Sequence, residues 1–276
     1  MIIKIKKFAS DLFAEIKKDD MLSAANDLTY KIFFSAFPFA IFLMSVAGFL
    51  KLDENLMTER IINILPDIIK AHAAGFIKNI SAGRSANILS FSLVISVWSA
   101  SSGFRTATRS INKAYGLKDR RGLFYKFLVS AALVLIFGGI IILCFVLLIF
   151  GDNILAYIKN NITGEYNMLF GIFNILRYII SVIILFFSVI LINKTALLKN
   201  KRPRLKDLAC GSLFTCAAWI SASALFNIYI DKFADYPAVY GSVGAVIALM
   251  LWINIMCVSL LAGSEINVVL EKKPQV

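Results

Sequence analysis

The chain has a single histidine, His72, in 276 residues. Metallohydrolases need several His or carboxylate ligands at set spacing, so that chemistry is excluded, and His72 reads as a loop residue. No GxSxG elbow, phosphate-binding P-loop or GxGxxG turn is present. Acidic residues are scarce within or beside the apolar runs, Asp27, Asp207, Asp231 and Glu265 among them, which leaves little for a catalytic carboxylate pair. The four cysteines (Cys144, Cys210, Cys216, Cys257) lack CxxC spacing and lie in apolar runs, as buried thiols packing like small hydrophobes do. The start, Met1-Ile2-Ile3-Lys4-Ile5-Lys6-Lys7, is no signal peptide, because its apolar stretches are short and no small-residue cleavage site follows. The chain is therefore expected to be a non-enzyme, with no catalytic residue, metal or cofactor.

Charge is scarce as well, at 17% of residues against 59% hydrophobic, with a mean hydropathy of +0.78. Soluble domains carry about 25% charged residues. The apolar residues gather into blocks of about 20, the length of a membrane-spanning helix. The expected fold is an all-α integral membrane protein with six transmembrane helices, at Ile32–Leu50, Ala86–Ser102, Phe127–Phe150, Leu169–Ile192, Leu208–Ile230 and Gly241–Gly263. The second is short and rich in serine, and the first contains Pro38, which removes a backbone bond and can kink a helix. Before them, residues 1–31 form a cytoplasmic segment. Ile2, Ile5, Phe8, Ala9, Leu12, Phe13 and Ile16 mark one stripe of an N-terminal amphipathic helix, which suits either a membrane surface or the protein's own flank. The membrane domain covers 32–263 and a cytoplasmic tail 264–276. Its external loop, 51–85, repeats apolar residues at roughly helical spacing, interrupted by Pro66 and Gly75; two short external helices between spans 1 and 2 are expected there.

The net charge of +12 follows from topology. With both termini inside, 21 of the 29 Lys and Arg residues fall in cytoplasmic segments and 7 outside, the last being Arg177. That asymmetry is what cytoplasmic retention of basic loops requires. Lys118-Asp119-Arg120-Arg121 and Lys199-Asn200-Lys201-Arg202-Pro203-Arg204 then face the cytoplasm and its anionic headgroups. No stacking-aromatic motif accompanies them, so no nucleic acid is expected as partner.

Arg177 lies within the fourth apolar run, three residues from Asn174 and thus on the same helix face. A guanidinium at the bilayer centre costs about 2.5–3.5 kcal/mol on insertion scales. Eight residues in from the outer end, at about 1.5 Å each, Arg177 sits roughly 12 Å deep, either at the floor of an outward-facing cavity or reaching the external headgroups. Further polar residues near membrane depth are Asn26, Asp27 and Tyr30 before the first span, Ser99, Ser101, Ser102, Arg105, Arg109 and Asn112 at the second, Trp219, Ser221, Ser223 and Asn227 on the fifth, and Trp252, Asn254, Glu265 and Asn267 on the sixth. Such groups either knit helices together or line a polar interior. On the second reading, Arg177, Asn174, Asn227, Asn254, Glu265 and Asn267 are the candidate substrate-binding residues. Gly241, Gly244, Ala245 and Ala248 form a small-residue face on the sixth span, suited to close helix packing.

Three segments resemble the YihY/BrkB family of bacterial inner-membrane proteins. Ala24-Ala25-Asn26-Asp27-Leu28-Thr29-Tyr30 running to Phe37-Pro38 is similar to the family's entry to span one. Trp98-Ser99-Ala100-Ser101-Ser102-Gly103 with Ile111-Asn112-Lys113-Ala114-Tyr115 is similar to its small-residue stretch and the Asn and Tyr that follow. Tyr240-Gly241-Ser242-Val243-Gly244-Ala245, Leu251-Trp252 and Ala262-Gly263-Ser264-Glu265-Ile266-Asn267 look like its ending, with Ser264 where alanine is usual. The resemblance implies six spans with both termini cytoplasmic in the bacterial inner membrane. Some members were labelled ribonuclease BN, which the missing metal-ligand set argues against; others carry a virulence label or have been linked to lipid movement. The expected function is transport or flipping of a lipid or amphipathic solute, with membrane lipids as partners. The alternative is a non-transporting envelope scaffold, in which Arg177 pairs with an internal acid such as Glu265. The number of copies in the assembly is left open.

Overall fold

The computed structural model describes residues 2–49, 86–140, 167–197, 203–232 and 237–272. The external loop, His72 and Cys144 lie outside the described residues, as do the side chains of Asn174 and Arg177. Among the described residues the chain is helical, with seven helices and no strand: α1 Ile2–Lys18, α2 Met21–Phe49, α3 Ala86–Ala114, α4 Leu123–Ile140, α5 Asn167–Ala196, α6 Leu205–Lys232 and α7 Pro237–Lys272.

The helix boundaries have local causes. Lys17 and Lys18 close α1, where cations suit the negative end of the helix dipole. Asp20 then takes a left-handed conformation, φ 52°, which Asp tolerates better than most residues. Its carboxylate accepts a hydrogen bond from Ser23 Oγ at 2.8 Å, and its carbonyl one from Ala24 N, at the start of α2. α3 ends in a left-handed Gly116, φ 67°. Gly116 N donates to Lys113 O and Leu117 N to Asn112 O, both at 2.8 Å, the paired bonds of a Schellman stop. Leu117 packs against the core beneath it.

Among the described residues, four helices are long and apolar enough to cross a membrane, within Leu123–Ile140, Tyr178–Ala196, Leu205–Ile228 and Val246–Lys272. They fall on the expected spans three to six as far as these are described, and Ile32–Phe49 and Ala86–Ser102 of the first two lie in α2 and α3; Leu50 and residues 141–150 lie outside the described residues. α2 also runs through residue 31 without a break. Apolar side chains stay exposed along these faces: Leu128, Leu135 and Ile136 on α4, Ile179 and Ile183 on α5, Leu225 and Ile228 on α6. Contiguous apolar surface on this scale belongs against lipid rather than water.

α2 packs most extensively against α3, and α6 against α7; α2 also lies along α7, and α5 on α6. The core joins Met21, Ala25 and Leu28 to Ala107, Ile111, Val189, Leu208, Leu260 and Leu261. The α6–α7 contact is the closest. A Cβ on Gly211 would collide with Gly263 O, and one on Gly263 with Thr215 Oγ1. Along this seam Gly211 N donates to Asn267 Oδ1 at 2.7 Å, Thr215 Oγ1 to Ser259 O at 3.1 Å, and Trp219 Nε1 to Met256 O at 2.9 Å. Positions 211, 215 and 219 recur every fourth residue, so they form one stripe. The close backbone approach thus occurs at Gly211 and Gly263.

Gly263→Ala should force the two helices apart. The expected loss is about 1–3 kcal/mol, read as a lower unfolding midpoint in detergent. Gly122→Ala, with open space around it, should leave the midpoint unchanged.

A basic pocket at the α3–α4 turn

Among the described residues, helix ends gather at one end of the bundle. Asn112 Nδ2 donates to Ala196 O, the last residue of α5, at 2.7 Å. Ser264 Oγ donates to Asn193 Oδ1 at 2.7 Å. Lys113 Nζ donates to Asp19 O, just past α1, and Lys272 pairs with Glu15 at 2.7 Å. The α3–α4 turn encloses a cavity of about 500 Å³ at this end, within the range of small-ligand sites, about 300–1,000 Å³.

Its lining follows from helical periodicity. Arg105, Arg109 and Lys113 are four residues apart and share a face of α3; Lys118, Arg121 and Lys126 come from the turn and the start of α4. Leu117, Leu123 and Val129 supply an apolar wall. The lining carries six cations and one carboxylate, Asp119. Asp119 is spent on the turn itself: Arg121 grips it in a bidentate pair at 2.8 and 2.9 Å, and Lys126 Nζ lies 3.7 Å away. Arg105 stands over the Phe127 ring at 5.8 Å, and its Nη1 is buried with no hydrogen-bond acceptor among the described residues. A buried unsatisfied donor costs about 1–3 kcal/mol, and more when charged. An incoming phosphate oxygen would satisfy it, since guanidinium groups match phosphate geometry.

The residues expected to bind substrate do not meet at one place. Asn193 bonds to Ser264 at the polar end, and Arg177 lies 16 residues further along α5, roughly 24 Å at 1.5 Å per residue. Glu265, beside Ser264, is therefore out of reach of Arg177, and the direct pairing of those two is ruled out by helix register. Asn174 lies further still from Glu265 and Asn267. Asn227 is exposed, 16 residues along α6 from Gly211. Asn254 donates to Asn26 Oδ1 at 2.8 Å and Thr29 Oγ1 at 3.1 Å, tying α7 to α2. Asn267 bonds to Gly211. Asn254 and Asn267 thus act as interhelical ties. Glu265 is buried, in a group with Glu15 and Asp19 whose ligand atoms lie within 4.8 Å of one another. Hydrogen bonds from Lys272 and Lys18 hold the Glu15 carboxyl below its ordinary pKa. Each pocket cation also satisfies the positive-inside rule, which hides the site in the sequence; the four-residue spacing of Arg105, Arg109 and Lys113 is the signal that marks it.

These helices, with apolar faces outward and a cationic pocket at one end, define a helical membrane protein. The chain belongs to the family described as virulence factor BrkB, whose sequence profile matches residues 12–276. It is similar to the putative ribonuclease-like protein YfkH of Bacillus subtilis (strain 168), with 28% identity over 270 residues, 96% of each chain. No solved structure matches.

The turn should respond to acid. Burial acts to raise the pKa of Asp119, but the Arg121 hydrogen bonds and the Lys126 charge outweigh it and hold the carboxyl below its ordinary value. A depressed carboxylate contributes stability that is complete above its unfolded value, about 3.9, and is lost as pH falls through the lower folded value. Amide exchange over residues 117–122 should accelerate in that window. Asp119→Asn should give fast exchange at neutral pH already.

Proposed function

We propose that this protein binds the anionic headgroup of a membrane lipid, or of a similar phosphate-bearing amphiphile, in the α3–α4 pocket, and moves it across the membrane. The observation that carries this reading is the pocket itself, with its excess of cations, its apolar wall and an Arg105 donor that lacks an acceptor among the described residues. A lipid needs both kinds of surface, charge for the headgroup and hydrocarbon for the chains.

In this reading the chain has six spans in the bacterial inner membrane, both termini are cytoplasmic, and α1 lies amphipathically at the interface. The basic-residue asymmetry supports that topology. It puts the pocket on the cytoplasmic side, where anionic lipids concentrate, and Arg177 toward the outer leaflet, so cationic stations would serve both leaflets. The sequence has no ATP-binding motif, so movement would be passive, ion-coupled or driven by a partner. We infer no enzymatic activity, since the carboxylate in the pocket is held in ion pairs. The tight α6–α7 seam leaves no passage along that contact and favours a scaffold as the second reading.

In liposomes containing fluorescent phosphatidylglycerol, the wild type should speed exchange between leaflets. Arg105→Ala should cut that rate at least tenfold, and Arg177→Ala should also slow it, both with unchanged folding. Full rates in both variants would refute transport through these stations. Headgroup binding that depends on Arg105, with no leaflet exchange by the wild type, would establish the scaffold reading.

A further inference from the structure

A second polar site lies beside the basic pocket, across Lys113. Asp19 and Glu265 are buried, at 8% and 1% exposure, and Glu15 is half-buried. Their oxygens converge within 4.8 Å. Glu265 Oε2 and Asp19 Oδ2 have no hydrogen-bond partner among the described residues. Three ammonium groups border the cluster, but none bonds to the free oxygens of Asp19 or Glu265. Lys18 and Lys272 bond to Glu15 at 2.9 and 2.7 Å, and Lys113 to the Asp19 carbonyl. Ser264, next to Glu265, donates to Asn193 Oδ1 and Leu260 O. Two buried carboxylates thus face each other without a counter-charge on their free oxygens, an arrangement that like-charge repulsion opposes.

Between them is a small cavity of about 10 Å³, lined by Asp19, Glu265, Ser110 and Ser264 among others. That is about the space one water or one bare ion occupies. The donors are carboxylate oxygens, with no sulfur or imidazole, and such a set selects hard cations.

We propose that Glu15, Asp19 and Glu265 bind one hard divalent cation of the Mg²⁺ or Mn²⁺ class, which fastens α1 and the α1–α2 turn to the end of α7. Glu265 and Asp19 supply the two buried ligands. Glu15 supplies the third by turning one oxygen from its lysine partners, and water completes the shell, as is usual for such ions. The left-handed Asp20 serves this arrangement by reversing the chain directly after Asp19, so that Asp19 faces α7 while Asp20 caps α2. The cation is structural: it sets whether α1 stays docked on the bundle.

The test uses the full chain in detergent micelles, stripped with a chelator and titrated with Mn²⁺, with free Mn²⁺ read by electron paramagnetic resonance. The expected result is one saturable site per chain, with amide exchange in α1 slowed at least tenfold by Mn²⁺. Glu265→Gln and Asp19→Asn should each weaken binding by at least the roughly 10–100-fold that loss of a mere supporting partner costs a metal site. Two variants guard against misfolding of either one, and a monodisperse elution profile qualifies each. The absence of stoichiometric Mn²⁺ binding by the wild type, equal binding by both variants, or α1 exchange insensitive to Mn²⁺ would overturn the proposal. A wild type that binds no Mn²⁺ but is stabilised by Glu265→Gln would show that the carboxylates share a proton instead. These readouts are independent of lipid movement, so the two proposals fail separately.

Discussion

The close contact between α6 and α7 is the constraint on which the rest of the bundle depends. Hydrophobic attraction does not hold helices together in lipid, where the surroundings are as apolar as the side chains; packing and interhelical hydrogen bonds must do it. Gly211 and Gly263 let the two backbones touch, and the touch brings Thr215, Trp219 and Asn267 within bonding distance of the facing helix. Once α6 and α7 are fixed, the other face of α7 offers Asn254 to α2 and Ser264 to α5. α2 then carries α3 through the Asp27–Lys31–Thr106 triad, with Lys31 bonded at 2.6 Å to both partners. Every step is a short polar tie between helices whose remaining surface is greasy.

Those ties concentrate at one end of the bundle, where buried polar groups outnumber what the helices satisfy internally. Asn112, Asn193, Ser212, Glu265 and Asn267 are all nearly inaccessible there. Burying such groups is costly unless each is bonded. Several are bonded: Asn112 to Ala196 O, a helix-terminal carbonyl that lacks an intrahelical partner, Asn193 to Ser264, and Asn267 to Gly211 N. Among the described residues Arg105 Nη1, Asp19 Oδ2 and Glu265 Oε2 lack partners and line the two cavities, while Asn112 Oδ1, Ser212 Oγ and Asn267 Nδ2 lack them as well. The two cavities, one basic and one acidic, lie against different faces of α3.

The fold was readable from sequence to the extent that lipid imposes a length. Apolar runs near 20 residues located four helices that are long and apolar enough to span, and α2 and α3 lie where the other two runs fall. The runs could not give the ends. α2 begins at Met21, eleven residues before the apolar run, because Ala25, Leu28 and Thr29 are buried against protein rather than lipid. Nor could hydropathy rank the small-residue faces: Gly211 and Gly263 make the close approach, and neither lies in the stripe from Gly241 to Ala248. The candidate site was the least legible part. Polar residues in spans look alike whether they tie helices or bind solute, and only register along the helices separates Asn254 and Asn267 from Arg177. The acidic cluster joins residues from opposite ends of the chain, a juxtaposition no local pattern encodes.

Lys113 belongs to both sides of this divide. It lines the basic pocket and donates to the carbonyl of Asp19, whose carboxylate faces Glu265. One ammonium therefore borders a cation-lined cavity and a group of carboxylates at once. Any anion that draws it into the pocket withdraws it from Asp19 and alters the field there. Thermodynamic reciprocity then requires that whatever occupies the carboxylate side change the affinity of the pocket by the same factor. A single side chain on the last turn of α3 thus touches both, and ligands at the two places would share one equilibrium.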